Sequence, residues 1–204
     1  ESSTGIKKSR RTMLPLGTPL PACTLEQIWG AQGPVGSGES GEPWSTNALA
    51  AEPVLVLFLC AHCPFVKHIE PELTRLERDY GSRVQIVAIS SNSTRTHPQD
   101  SPAGLQEQAR HHGWSFPYLF DASQAVARAF HAACTPDLYL FDHQHHLVYR
   151  GQLDASRPGN DHPLDGRDLR GAIEALLAGK PVSPEQKPSI GCNIKWHPEA
   201  TADR

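Results

Sequence analysis

Pro53-Val54-Leu55-Val56-Leu57-Phe58-Leu59-Cys60-Ala61-His62-Cys63-Pro64 is the stretch that decides how this chain folds. Residues 54 to 59 are an unbroken apolar run, the pattern of a strand buried on both faces of a sheet. Beyond it, Phe65, Ile69, Leu73, Leu76 and Tyr80 recur at spacings of three and four, which puts them on one face of a helix running from Cys63 to Tyr80. A Cys-x-x-Cys at that junction is a dithiol at a helix N-terminus, where unpaired N–H groups and the positive end of the dipole favour a thiolate. Cys60 is expected to be the more exposed sulfur and the nucleophile. Cys63, one turn further in, is expected to resolve the mixed disulfide that Cys60 forms. A structural or zinc-binding cysteine pair is the alternative, and the strand-then-helix setting weighs against it.

Outward from this junction the pattern continues in both directions. Residues 1–12 are polar and read as a disordered tail, with ordered structure starting near Met13. Residues 14–29 suit an N-terminal edge hairpin, and residues 30–42, with five glycines, suit a loop. That loop is no phosphate cradle, because no Gly-Lys-Ser/Thr follows it. A second buried strand spans 84–89, and Ser101-Pro102 opens a helix that stops at Gly113. A strand at 116–120, a helix at 122–130 and strands at 138–141 and 147–149 follow, the last two joined by the turn Asp142-His143-Gln144-His145-His146. Leu169, Ile173, Leu176 and Leu177 mark a final helix ending at Gly179. This order predicts a three-layer α/β/α sandwich with a mixed sheet over 13–180. The extension 181–204 has no periodicity, yet Ile190, Cys192, Ile194 and Trp196 are too apolar for free solvent and predict a docked tail.

A formal charge of −3, from 19 basic and 22 acidic residues in 204, points to no nucleic-acid or membrane partner. The basic run Lys7-Lys8-Ser9-Arg10-Arg11 reads as a solvated tail. No stretch approaches the roughly 20 apolar residues of a membrane span, so the expectation is a cytoplasmic protein; Glu1 in place of Met leaves a removed leader open. Five cysteines are too few for a disulfide scaffold.

A Thr-Pro just before a later strand, in Cys134-Thr135-Pro136-Asp137-Leu138, completes a resemblance to the thioredoxin fold. Together with Cys60-Ala61-His62-Cys63-Pro64-Phe65 and Pro188-Ser189-Ile190-Gly191-Cys192-Asn193-Ile194-Lys195-Trp196, it resembles the peroxiredoxin-like branch of that fold over roughly Met13 to His197. The resemblance implies that Pro136 is cis and lies against the dithiol, and that the backbone of Thr135 pairs with a bound substrate strand. It implies thiol–disulfide exchange with a protein or small-molecule partner, an electron donor or acceptor system, and no cofactor. Two departures matter. Cys63-Pro64 stands where a peroxiredoxin has its reactive cysteine, but Cys60 replaces the Thr, and Cys134 and Thr135 stand where the Arg is expected. Peroxidase activity is thus the weaker reading. No acid lies on the strand before the dithiol, which leaves no internal base for Cys63. His62 occupies the position of a His in strongly oxidising dithiol proteins, where its ring could donate to a Cys60 thiolate. It could equally be a solvent-exposed turn residue.

Cys23 is expected to be a small buried residue. Cys134 should approach the dithiol either as a packing residue or as a third redox partner, and Cys192 could be structural or a resolving thiol that reaches back. Eleven histidines invite a metal reading, with Cys60, Cys63 and His68 as ligands for copper(I) or zinc. His68 lies about one and a half turns from Cys63 and so points away, and His143, His145 and His146 read as solvated. No metal site is assigned.

Overall fold

β4 (Val54–Phe58) is buried at every position, as its apolar run requires. In the computed structural model, which describes residues 12–36 and 42–199, it lies between a parallel partner, β5 (Gln85–Ser90), and an antiparallel one, β8 (Asp137–Phe141). Outward from β5 come β6 (Tyr118–Phe120), parallel to it, and β1 (Thr24–Gly30), antiparallel to β6. On the other side β9 (Leu147–Gly151) pairs with β8, and the short strands β2 (Gly33–Pro34) and β3 (Trp44–Ser45) pair with β1.

Alternation along β4 feeds two cores. Leu55 and Leu57 pack with Leu138, Leu140 and the buried faces of α1 (Pro64–Tyr80), α2 (Pro102–His112) and α4 (Arg167–Leu177). Val56 and Phe58 pack with Tyr139, Phe130 and α3 (Ala125–Ala129), together with Leu14 and Ile194 from near the two ends of the chain. The result is the predicted mixed sheet between helical layers, a thioredoxin-like α/β fold. The punctuation of α2 is as read: Ser101 caps it through a bond from the Gly104 N–H, and Gly113 ends it at φ 64°.

Two boundaries differ from the sequence reading. The N-terminal hairpin runs from Thr24 to Pro34 rather than over 14–29, because Pro15, Pro19 and Pro21 have no N–H for a ladder, and so β2 falls inside the predicted loop. α3 is shorter than 122–130. The predicted tail 1–12 lies outside the described residues except for Thr12, whose carbonyl accepts from His131 Nδ1 at 3.0 Å. Among the described residues no helix is long and apolar enough to cross a membrane.

The C-terminal segment docks through its backbone. β10 (Cys192–Asn193) pairs antiparallel with β7 (Cys134–Thr135), setting Cys192 opposite Thr135. Ile194 N–H donates to the Ala133 carbonyl at 3.0 Å, and Gln152 N–H to the Lys187 carbonyl at 2.9 Å. The approach is close enough that a Cβ at Gly191 would sit 2.0 Å from the Thr135 carbonyl oxygen, so only glycine fits there.

Candidate active site

Cys63 is the N-cap of α1 and Pro64 its first residue, a position where the missing N–H goes unused by the helix. Cys60 and Cys63 both have 0% exposure, so the expectation that Cys60 is the accessible sulfur does not hold. Cys60 is enclosed from two sides. Gln108 of α2 donates to its carbonyl at 2.9 Å, and Thr135 Oγ1 lies 3.4 Å from its sulfur. The Thr135–Pro136 peptide is cis, and the Thr135 carbonyl accepts from the Cys63 thiol at 3.6 Å.

The Cys63 thiol is drawn down to about 5. A hydrogen bond from Cys60 contributes most, burial opposes it, and further bonds come from the Cys192 thiol and from the backbone at Val66 and Cys192. Cys60 is pushed up, because it donates to Cys63 and is buried, against a smaller opposing effect of the Thr135 hydroxyl. Burial and its bond to Cys63 push Cys192 up to about 12. These directions favour the negative charge on Cys63, whereas the sequence reading expects the thiolate on Cys60. The reason is local: Cys63, not Cys60, occupies the N-cap position at the positive end of α1 and receives the hydrogen bond of the other thiol.

The chain matches the AhpC/TSA family over residues 16–150. It belongs to that family. No curated protein matches it. Among solved structures it is similar to an uncharacterized conserved protein from Geobacillus kaustophilus, at 45% identity over 92% of this chain and 95% of that one, with a TM-score of 0.83. A hypothetical protein from Sinorhizobium meliloti is 39% identical over 91% and 97%, with a TM-score of 0.82. A secreted disulfide oxidoreductase of Mycobacterium tuberculosis shares the fold at 18% identity over 76% and 96%, with a TM-score of 0.55. Family membership supports redox thiol chemistry in general terms.

In this AhpC/TSA-family chain the residue between the cysteines has a fixed partner. His62 Nδ1 lies 2.5 Å from Asp100 Oδ2, and its ring stacks on His97 with centroids 5.0 Å apart. The fully buried Asp100 also accepts from the Ala61 N–H at 2.8 Å and from the Asn92 amide at 3.0 Å. Asn92 in turn accepts from the Lys195 N–H at 2.9 Å, which links this network to the docked tail. His62 is thus held by a carboxylate, and among the described residues neither cysteine is hydrogen-bonded to it. Asp100, Asn92 and Gln108 escaped the sequence reading. Only the Ser101-Pro102 cap just after Asp100 marked that neighbourhood, and caps carry no information about which side chain turns inward.

The remaining candidates separate clearly. Cys134 donates weakly to the Pro136 and Ser189 carbonyls at 3.7 and 3.9 Å, and burial, then Asp137, push its thiol up. Cys23 is half-buried against the second core, and burial raises its thiol to about 11. His68 hydrogen-bonds Ser156 at 2.6 Å and joins no ligand set with the cysteines. His145 binds the Ala50 carbonyl at 2.9 Å, while His143 and His146 face Glu52 and Asp142. The donors that do converge are Cys60, His62 and Asp100, within 4.8 Å of one another. The Asp100 carboxylate accepts three hydrogen bonds there.

Proposed function

We propose that this protein is a thiol–disulfide oxidoreductase in which Cys63 is the attacking thiolate and Cys60 resolves the mixed disulfide. The observation that carries this reading is the place of Cys63 as the N-cap residue of α1, at the positive end of the helix and packed with Cys60, where its thiol is drawn down to about 5. The cycle begins when Cys63 attacks a disulfide of a protein or small molecule. Cys60 then attacks Cys63 and expels the second half of the substrate, leaving a Cys60–Cys63 disulfide for an electron donor to reduce. His62, aligned by Asp100 and within 4.8 Å of the Cys60 sulfur, is the group in this reading that relays a proton during exchange. Turnover of a model disulfide with dithiothreitol as reductant tests the reading. Cys63→Ser should abolish turnover, and Cys60→Ser should still form the mixed disulfide on Cys63 but yield no Cys60–Cys63 product; full turnover by Cys63→Ser would reject it.

Thiol peroxidase activity is the second reading, favoured because Cys63-Pro64 stands at the family's reactive-cysteine position. Against it, Cys60 replaces the aligning Thr, and no arginine is hydrogen-bonded to Cys63 among the described residues. Without those groups a peroxide gains neither orientation nor charge stabilisation at the sulfur. Hydrogen peroxide should therefore react with Cys63 far more slowly than a disulfide does at equal concentration.

A further inference from the structure

We infer that Cys192, on the C-terminal strand, is a second resolving thiol for Cys63, so that the docked tail takes part covalently in the reaction. This rests on the reading of Cys63 as the attacking thiolate.

Three independent features hold Cys192 where it can act. Its side chain packs against the core cluster that holds Cys60 and Cys63, and its thiol and that of Cys63 shift one another in opposite directions. Its backbone is fixed by the pairing of β10 with β7, directly opposite Thr135, whose hydroxyl and carbonyl meet Cys60 and Cys63. That pairing is possible because Gly191 lets the two backbones approach, and it is anchored beyond the strand by Lys195, whose N–H reaches Asn92 and whose carbonyl accepts from Ser93 at 2.7 Å and Gln124 at 2.9 Å. Cys192 is also the half-buried member of the trio, whereas Cys60 and Cys63 have no exposure. A substrate sulfur bound to Cys63 would lie beside a thiol packed in the same cluster. Closure then brings the two sulfurs to a bond of about 2.05 Å.

The step balances as an ordinary exchange. The Cys63 thiolate attacks one sulfur of a disulfide substrate, the substrate S–S bond breaks, and its other half leaves as a thiol after taking up a proton. Cys192 then attacks the Cys63 sulfur. The bond from Cys63 to the substrate breaks, the released thiolate takes the proton that Cys192 gives up, and a Cys63–Cys192 disulfide remains. Two protein thiols lose two electrons to the substrate disulfide, which becomes two thiols. The product differs from a Cys60–Cys63 disulfide in consequence as well as identity, because it ties the tail to the first turn of α1.

Oxidised glutathione, added to the fully reduced full-length protein and quenched with acid at successive times, tests this by mass mapping. In Cys60→Ser, the glutathione adduct on Cys63 should convert to a Cys63–Cys192 disulfide. Adding Cys192→Ser should make the adduct persist. Gly191→Ala in the Cys60→Ser background keeps every thiol but forces β10 off Thr135, and should slow the conversion at least about tenfold, since losing roughly 1.4 kcal/mol of alignment does so. An adduct that persists in Cys60→Ser with Cys192 still reduced overturns the inference and leaves the proposed function standing. Absence of any adduct on Cys63 overturns both. Should Cys60→Ser not fold, the wild-type time course decides: a Cys63–Cys192 peptide preceding the Cys60–Cys63 product supports the inference, and its absence at every time rejects it.

Discussion

His62 Nδ1 and Asp100 Oδ2 lie 2.5 Å apart, joining the residue inside the dithiol motif to a buried carboxylate 38 positions further along the chain. Asp100 accepts from three donors, so its loss strands the Ala61 N–H and the Asn92 amide as well as freeing the imidazole. Asp100→Ala should lower the unfolding free energy by on the order of 3 kcal/mol, the sum expected for buried partners left unpaired. Asp100→Asn keeps an acceptor and should cost less stability, while still slowing exchange with oxidised glutathione by about tenfold through loss of the charged partner. Urea denaturation and the exchange rate, measured on both variants, separate the positioning role from the structural one. Equal exchange rates for wild type and Asp100→Asn would leave Asp100 purely structural.

Alkylation should find Cys63 first. With that thiol drawn down to about 5, its reaction with iodoacetamide should be half-maximal near pH 5 and level by pH 7, whereas Cys60, pushed up by donating to Cys63 and by burial, should stay unlabelled across the range. Peptide mapping of the label gives the answer, and faster labelling of Cys60 would restore the sequence assignment of roles.

Asp137 follows the cis proline and is raised to about 7, chiefly by burial, although the Tyr139 hydroxyl at 3.0 Å and the Leu138 N–H at 3.1 Å both donate to it. An unfolded aspartate titrates near pH 3.9, so the folded chain holds this proton more tightly than the unfolded one. The neutral carboxyl therefore contributes stability that is full below about pH 4 and is lost as pH rises through 7, on the order of a few kcal/mol. Asp137→Asn should flatten that decline. The check is the urea midpoint of both proteins at pH 5 and pH 8; parallel pH dependence would show that Asp137 is not its source.

The strand, dithiol and first helix were legible because each has a strong local signature: five consecutive buried positions in β4, a proline at the first residue of α1, and a helical stripe ending at Tyr80. The fold followed from the order of such segments. What escaped was everything fixed by two-residue contacts. β7 and β10 are each two residues long, too short to show periodicity, so the sequence could predict that the tail docks but not that it docks on Thr135. Likewise the motif predicts a thiolate at the turn and the start of the helix near Cys63, but which sulfur the other stabilises depends on contacts among Cys60, Thr135 and Cys192 that lie far apart in the chain.

Cys134 lies on β7 beside this cluster, yet its thiol is turned to the carbonyls of Pro136 and Ser189 and held well above its ordinary range by burial. A sulfur in that state is a poor nucleophile and a good packing group. Cys134→Ser should leave the rate and yield of dithiol oxidation unchanged and lower stability by about 1 kcal/mol, as expected for a polar oxygen replacing a half-apolar sulfur in a buried site. Because Cys134 pairs through its backbone with Asn193, any larger effect on exchange would have to travel through the tail and should then be matched by a slower Cys63–Cys192 closure. A Cys60–Cys134 or Cys63–Cys134 peptide dominating the mass map after mild oxidation would instead make Cys134 a redox partner in its own right.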